Sequence, residues 1–198
     1  MPQPAPHQLG LLGGTFDPPH LGHLAAARAV QAQLGLHRVD LLVANDPWQK
    51  SGDRTVSPAA VRLEMARALV TDTPGLGVDD REIRRGGPTY TADTLEEIRR
   101  ESPNTEIFLI VGADTAGRIH SWHRPEVVLA LSTLVIVNRT EHASDIAGAT
   151  SVHVHMDPVN VSSTSIRERI AAGQSLDGFT TPDVARIIAE HGLYGERT

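Results

Sequence analysis

Short apolar runs recur along the chain, each closed by glycine or a polar turn and followed by a segment of helical spacing. Leu9 to Gly13 is the first run and predicts a buried strand. Leu21 to Leu34 follows as a helix, with Leu24, Ala27, Val30 and Leu34 on one face and Gly35 as its stop. Val39 to Ala44 predicts a second strand, and Asn45 to Val56 a polar loop. Ser57-Pro58 predicts a helix start, Ser57 as N-cap and Pro58 in the first position, with Val61, Met65, Ala68 and Leu69 turned inward. Leu76 to Ile83 reads as a weaker strand, with Asp79-Asp80 as a solvated turn. Arg85 to Thr89 reads as a turn and Thr91 to Arg100 as a helix.

Glu106 to Val111 is the most strand-like stretch, an unbroken apolar run ending at Gly112. Central parallel strands, covered on both faces, have this composition. Pro125 to Leu131 predicts a helix, Leu134 to Val137 a strand and Val152 to His155 a last short strand. Ser162 to Ala172 predicts a helix with Ser165 and Glu168 placed for a capping box. Thr181-Pro182 caps a final helix that ends at Gly192. Strands alternating with helices predict an α/β fold: a Rossmann-like, doubly wound, mainly parallel sheet with helices on both faces. Residues 9–198 read as one domain, with residues 1–8 as a flexible, proline-rich lead-in.

In such sheets ligands sit beyond the carboxyl ends of the strands. The unusual segments fall there. After the first strand come Gly13-Gly14, a proline-stiffened loop, and His20 and His23 at a helix mouth. Free N–H groups and the helix dipole make such a mouth attractive to anions, and two imidazoles could donate to phosphate oxygens. The run is neither a dinucleotide glycine fingerprint nor a Walker loop. Near the end, Ser162, Ser163, Thr164 and Arg167 crowd a second helix mouth, with Ile166 and Ile170 inward and Arg167 turned toward a ligand.

Composition narrows the ligand. The net charge of -6 disfavours nucleic-acid backbones but allows a small anion held by local cations, among them His20, His23, Lys50, Arg139 and Arg167. The absence of cysteine removes disulfides and thiolate metal sites, which suits a cytoplasmic protein. No apolar run approaches the roughly 18 residues of a membrane span. His153 and His155 share one face of the last strand, where solvent exposure accounts for them. His120 and His123 bracket Trp122 and are expected at the rim of a pocket.

Gly13 to His23, with Ser162-Ser163-Thr164-Ser165-Ile166-Arg167, resembles the nucleotidyltransferase superfamily marked by a (T/H)xGH motif and a late SSTxxR-type motif. Gly86 to Leu95, Gly112-Ala113-Asp114 and Ser121-Trp122 are similar to the bacterial nicotinate-nucleotide adenylyltransferases. The resemblance implies transfer of the adenylyl group of ATP to nicotinate mononucleotide, giving deamido-NAD and pyrophosphate. It places Gly14, Thr15, Phe16, His20 and His23 on ATP, His23 near the α-phosphate. Arg167 and the Ser162-Ser163-Thr164 helix start fall on the β and γ groups. Gly112 and Asp114 fall on the adenosine. The acceptor falls to Lys50, Thr89 and Trp122. Mg²⁺ is expected on the triphosphate, with no dedicated protein metal site. The loop Pro47-Trp48-Gln49-Lys50 departs from the family's common Pro-Pro-His-Lys. Nicotinamide mononucleotide or phosphopantetheine as acceptor, or a non-catalytic nucleotide sensor, are the alternatives, and a homo-oligomer is compatible with the sequence.

Overall fold

The computed structural model describes residues 7–47, 56–138 and 146–195. Six strands form one sheet: β1 (Gln8–Gly14), β2 (Arg38–Val43), β3 (Leu76–Asp79), β4 (Glu106–Gly112), β5 (Thr133–Asn138) and β6 (Ser151–His155). Their order is β3-β2-β1-β4-β5-β6, and every pairing is parallel. This is the doubly wound arrangement, with its switch point between β1 and β4.

The two faces follow from strand alternation. In β4, Ile107, Leu109 and Val111 enter one apolar cluster, while Ile110 enters the other. In β5, Leu134 and Ile136 oppose Val135 in the same way. Unbroken apolar runs are required because both faces are covered. One face packs against α1 (Leu21–Leu34), α2 (Ala59–Val70) and α8 (Pro182–Glu190), through Val30, Met65, Leu69, Val184 and Ile187. The other packs against α4 (Thr91–Glu101) and α6 (Pro125–Leu131), through Leu95, Ile98 and Val128. Gly10 is fixed by close approach: a Cβ there would lie 2.8 Å from Val39.

Four local expectations are corrected. The weak strand stops at Asp79, and Arg81–Arg85 forms a short helix, α3. Asp79 is no solvated turn: it accepts the Arg81 N–H at 2.9 Å and pairs with the Arg81 guanidinium at 2.7 Å, bending the chain into α3. At α2 the N-cap position is taken by Pro58. Ser57 is drawn aside, its N–H toward the Asp17 carboxylate and its hydroxyl donating to Tyr194 at 3.2 Å. In α7 (Ser163–Ala171) the capping box is Ser162 with Ser165, two hydroxyls exchanging backbone N–H bonds at 3.0 Å, so Glu168 has no part in it. α5 (Ala113–Ala116) and a 3₁₀ turn, Ile119–Ser121, follow β4.

Candidate active site

A cavity of about 360 Å³ opens at the carboxyl ends of β1, β2 and β4. Gly13, Gly14 and Thr15 form one wall, with His23 beside them, and Gly112 closes the end of β4. Thr89, Tyr90, Trp122 and His123 stand opposite.

The first loop is built for His23. Phe16 takes a left-handed backbone (φ 52°) and its side chain is buried. A Cβ on Gly14 would lie 2.8 Å from the Phe16 ring, so glycine lets that ring fold inward. The ring then meets the His23 imidazole edge-on at 4.9 Å. His20 caps α1, its ring stacked on His23 at 3.7 Å. Gly22 makes room for this, since a Cβ there would press on the His20 ring at 3.0 Å. The His20 backbone N–H donates to His23 Nδ1 at 3.2 Å. A neutral His23 therefore carries its proton on Nε2, the tautomer that can donate to an anion. His20 is buried and lies outside the cavity lining; His23 is half-buried and within it.

The second helix mouth is tied to the first loop. Ser163 donates to the Pro18 carbonyl at 2.8 Å. Arg167 donates to the Asp17 carbonyl at 2.8 Å and to the Thr164 hydroxyl at 3.0 Å. So Arg167, expected to turn toward a ligand at this helix mouth, is anchored on the loop that leads to His23. Ser162 and Thr164 are exposed. Gly112 lines the cavity, whereas Asp114 is exposed and does not.

On the opposite wall, Gly86 and Gly87 both take positive φ (70° and 69°), which sets the turn that presents Thr89. The Thr89 hydroxyl accepts the N–H of Asn45 at 3.0 Å and of Asp46 at 3.3 Å. With two donors on its oxygen, its own proton is directed elsewhere. Asn45 also holds the Gly87 carbonyl at 2.9 Å. Trp122 is half-buried against the core, and His123 packs on Tyr90 at 4.3 Å. His120 is exposed and off the lining, so only His123 sits at the rim. Lys50, with Trp48 and Gln49, and Arg139 lie outside the described residues.

Residues 11–169 match the cytidylyltransferase-like family. A protein of Thermus thermophilus named probable nicotinate-nucleotide adenylyltransferase is 40% identical over 187 residues, covering 94% of this chain and 99% of its own. The chain belongs to this family, the nicotinate-nucleotide adenylyltransferases. A Dehalococcoides mccartyi protein of the same name is 38% identical over 196 residues, covering 93% and 96%. The Plasmodium falciparum nicotinic acid mononucleotide adenylyltransferase, solved with NaAD, shares the fold: TM-score 0.79 at 17% identity, over 94% of this chain and 97% of that one.

Within this family member, two residues matter that the sequence did not single out. Glu82 lines the cavity yet is 3% exposed. Burial pushes its carboxyl up to about 7, although the Thr94 hydroxyl donates to it at 2.7 Å. Arg62, on α2, is 1% exposed. In sequence Glu82 looks like one more charge in a polar stretch, and Arg62 is a lone charge in an otherwise apolar helix face. Alternation with Ile83 in the expected strand points Glu82 to the surface, whereas Arg62 lies three residues before Met65 and seven before Leu69, the spacing of the buried helix face.

Proposed function

We propose that the protein joins the adenylyl group of ATP to nicotinate mononucleotide. A phosphate oxygen of the mononucleotide attacks the α-phosphorus of ATP. The bond from that phosphorus to the bridging oxygen breaks, and pyrophosphate leaves as deamido-NAD forms. The carrying observation is that His23 and the Thr89-Tyr90-Trp122 wall face one cavity at the sheet's switch point. A nucleotide phosphate and a flat heterocycle can therefore meet there.

No protein nucleophile is required, so positioning and charge stabilisation carry the rate. His23, through Nε2–H, donates to the α-phosphate as charge builds. His20 stacks beneath it and holds its tautomer. Arg167 and the Ser162-Ser163-Thr164 helix start serve the β and γ groups, together with the Gly14-Thr15 backbone. Gly112 allows the adenosine close to the end of β4, with Asp114 beside the ribose. On the acceptor side, Trp122 stacks on the pyridine ring. Thr89 donates to the ring carboxylate, and Lys50 meets the mononucleotide phosphate. Among the described residues no group of three or more His, Cys, Asp or Glu could hold a metal. Mg²⁺ is assigned to the triphosphate, where it offsets phosphate charge. Among the same residues no helix is long and apolar enough to cross a membrane.

The test is pyrophosphate release with ATP and each mononucleotide. Turnover with nicotinate mononucleotide, and at least tenfold lower kcat/KM with the amide, supports the reading. Equal efficiency removes the acid preference. No release with either mononucleotide, but release with phosphopantetheine, moves the protein to that alternative. ATP binding without turnover makes it a sensor.

A further inference from the structure

The Arg62 guanidinium is buried among backbone carbonyls. Nε donates to Ser57 at 2.8 Å, Nη1 to Thr15 at 2.8 Å and to Ala44 at 2.6 Å, and Nη2 to Asn45 at 2.7 Å. Among the described residues no carboxylate lies within ion-pair distance of it; Asp17 and Asp46 act on it only as more distant charges. Burying a cation without a direct counter-ion is costly, and a packed apolar side chain would fill the same space at less cost. What an apolar residue could not do is fix the direction of four carbonyls from three segments. The rigid fork of arginine does that.

Two of those segments belong to opposite sides of the cavity. Thr15 follows Gly13-Gly14 on the donor wall. Ala44 and Asn45 follow β2, and the Asn45 N–H is held by the Thr89 hydroxyl on the acceptor wall. A continuous hydrogen-bonded path therefore runs from Thr15 through Arg62 and Asn45 to Thr89. Arg62 is not itself part of the lining.

We infer that Arg62 is a positioning residue that sets the donor wall against the acceptor wall, so that the attacking phosphate and the α-phosphorus meet in line. The inference rests on the adenylyl-transfer reading above. Displacements near 1 Å are enough to cost about 10²-fold in such alignment. Each substrate alone touches one wall, so its binding depends little on the path between them.

The experiment compares Arg62→Lys and Arg62→Gln with the parent protein, using steady-state kinetics with ATP and nicotinate mononucleotide. Thermal unfolding fixes a temperature at which every variant is folded. The expected result is a kcat lower by about 10- to 100-fold with each KM within about threefold, Lys retaining more than Gln. A purely structural role would lower the melting temperature and leave kcat per folded molecule unchanged. That result, or a rise in a single KM with kcat intact, overturns the inference. If Gln does not fold, Lys alone decides by the same criterion. A parent protein that releases no pyrophosphate overturns the adenylyl-transfer reading and this inference with it. An active parent with unchanged variants overturns the inference alone.

Discussion

The two walls of the cavity are built differently. The donor wall is one continuous stretch, Gly13 to His23, pinned by long-range side-chain bonds onto its carbonyls: Arg62 on Thr15, Arg167 on Asp17, Ser163 on Pro18 and Thr180 on Pro19. The acceptor wall is assembled from separate pieces. Thr89 and Tyr90 come from the turn before α4, Trp122 and His123 from beyond β4, and Glu82 from α3. The difference has a chemical sense. Triphosphates need donors at fixed positions, which a stapled loop supplies. A planar ring needs a slot with one flat side, which distant pieces can form.

The largest effect that would test this contrast is on His23. His23→Ala is expected to lower kcat by on the order of 10²-fold or more, as when a transition-state donor is lost. If kcat survives and only the KM for ATP rises, the donor wall binds without stabilising the transition state.

Next comes Glu82, which marks the acceptor wall electrostatically. Its carboxyl is raised from 4.5 to about 7 by burial. Between these values the folded chain keeps a proton that the unfolded chain has shed. Stability therefore falls as pH rises through this window and levels off above about 7. A shift of this size corresponds to about 3 kcal/mol. Glu82→Gln keeps an acceptor for Thr94 and removes the ionisation. Its unfolding free energy should match the parent's near pH 4 and exceed it at pH 8. Asp40 is also raised by burial, but it is common to both proteins and cancels in the difference. Denaturant unfolding at the two pH values checks this. A constant difference would mean the Glu82 carboxyl titrates alike in the folded and unfolded chain. Smaller again, Trp122→Ala should raise the KM for the mononucleotide about tenfold and leave that for ATP unchanged. A raised KM for ATP instead would place Trp122 on the wrong wall.

The same contrast governs how much could be read from the chain. The parallel sheet was readable because β4 and β5 are unbroken apolar runs, and the donor wall because its residues are contiguous. The acceptor wall was readable only through the motif resemblance that named Thr89, Lys50 and Trp122. Glu82 escaped because a buried carboxyl and a solvated one look alike without the Thr94 contact. The direction of the Phe16 ring is a related case. A motif names neighbours in sequence, and its positive φ sends the ring into the core beneath His23. Arg167 was placed at the correct helix mouth, but its bond to the Asp17 carbonyl joins residues 150 positions apart and no local pattern reports it.

The smallest effects set one tie on each wall against the other. Ser163 holds the Pro18 carbonyl, and Asn45 holds the Gly87 carbonyl. Each is a neutral side-chain bond, so Ser163→Ala and Asn45→Ala should each cost about 1 kcal/mol of stability. Their kinetic signatures should part. Loosening Pro18 disturbs the approach to His23, so the KM for ATP should rise about threefold and that for the mononucleotide should not. Loosening Gly87 frees the turn that presents Thr89, so the mononucleotide KM should rise and that for ATP should not. Two-substrate initial-rate measurements on the pair resolve this. If both variants shift both constants equally, the walls do not act as separate bodies. The coupling through Arg62 would then dominate even these peripheral ties.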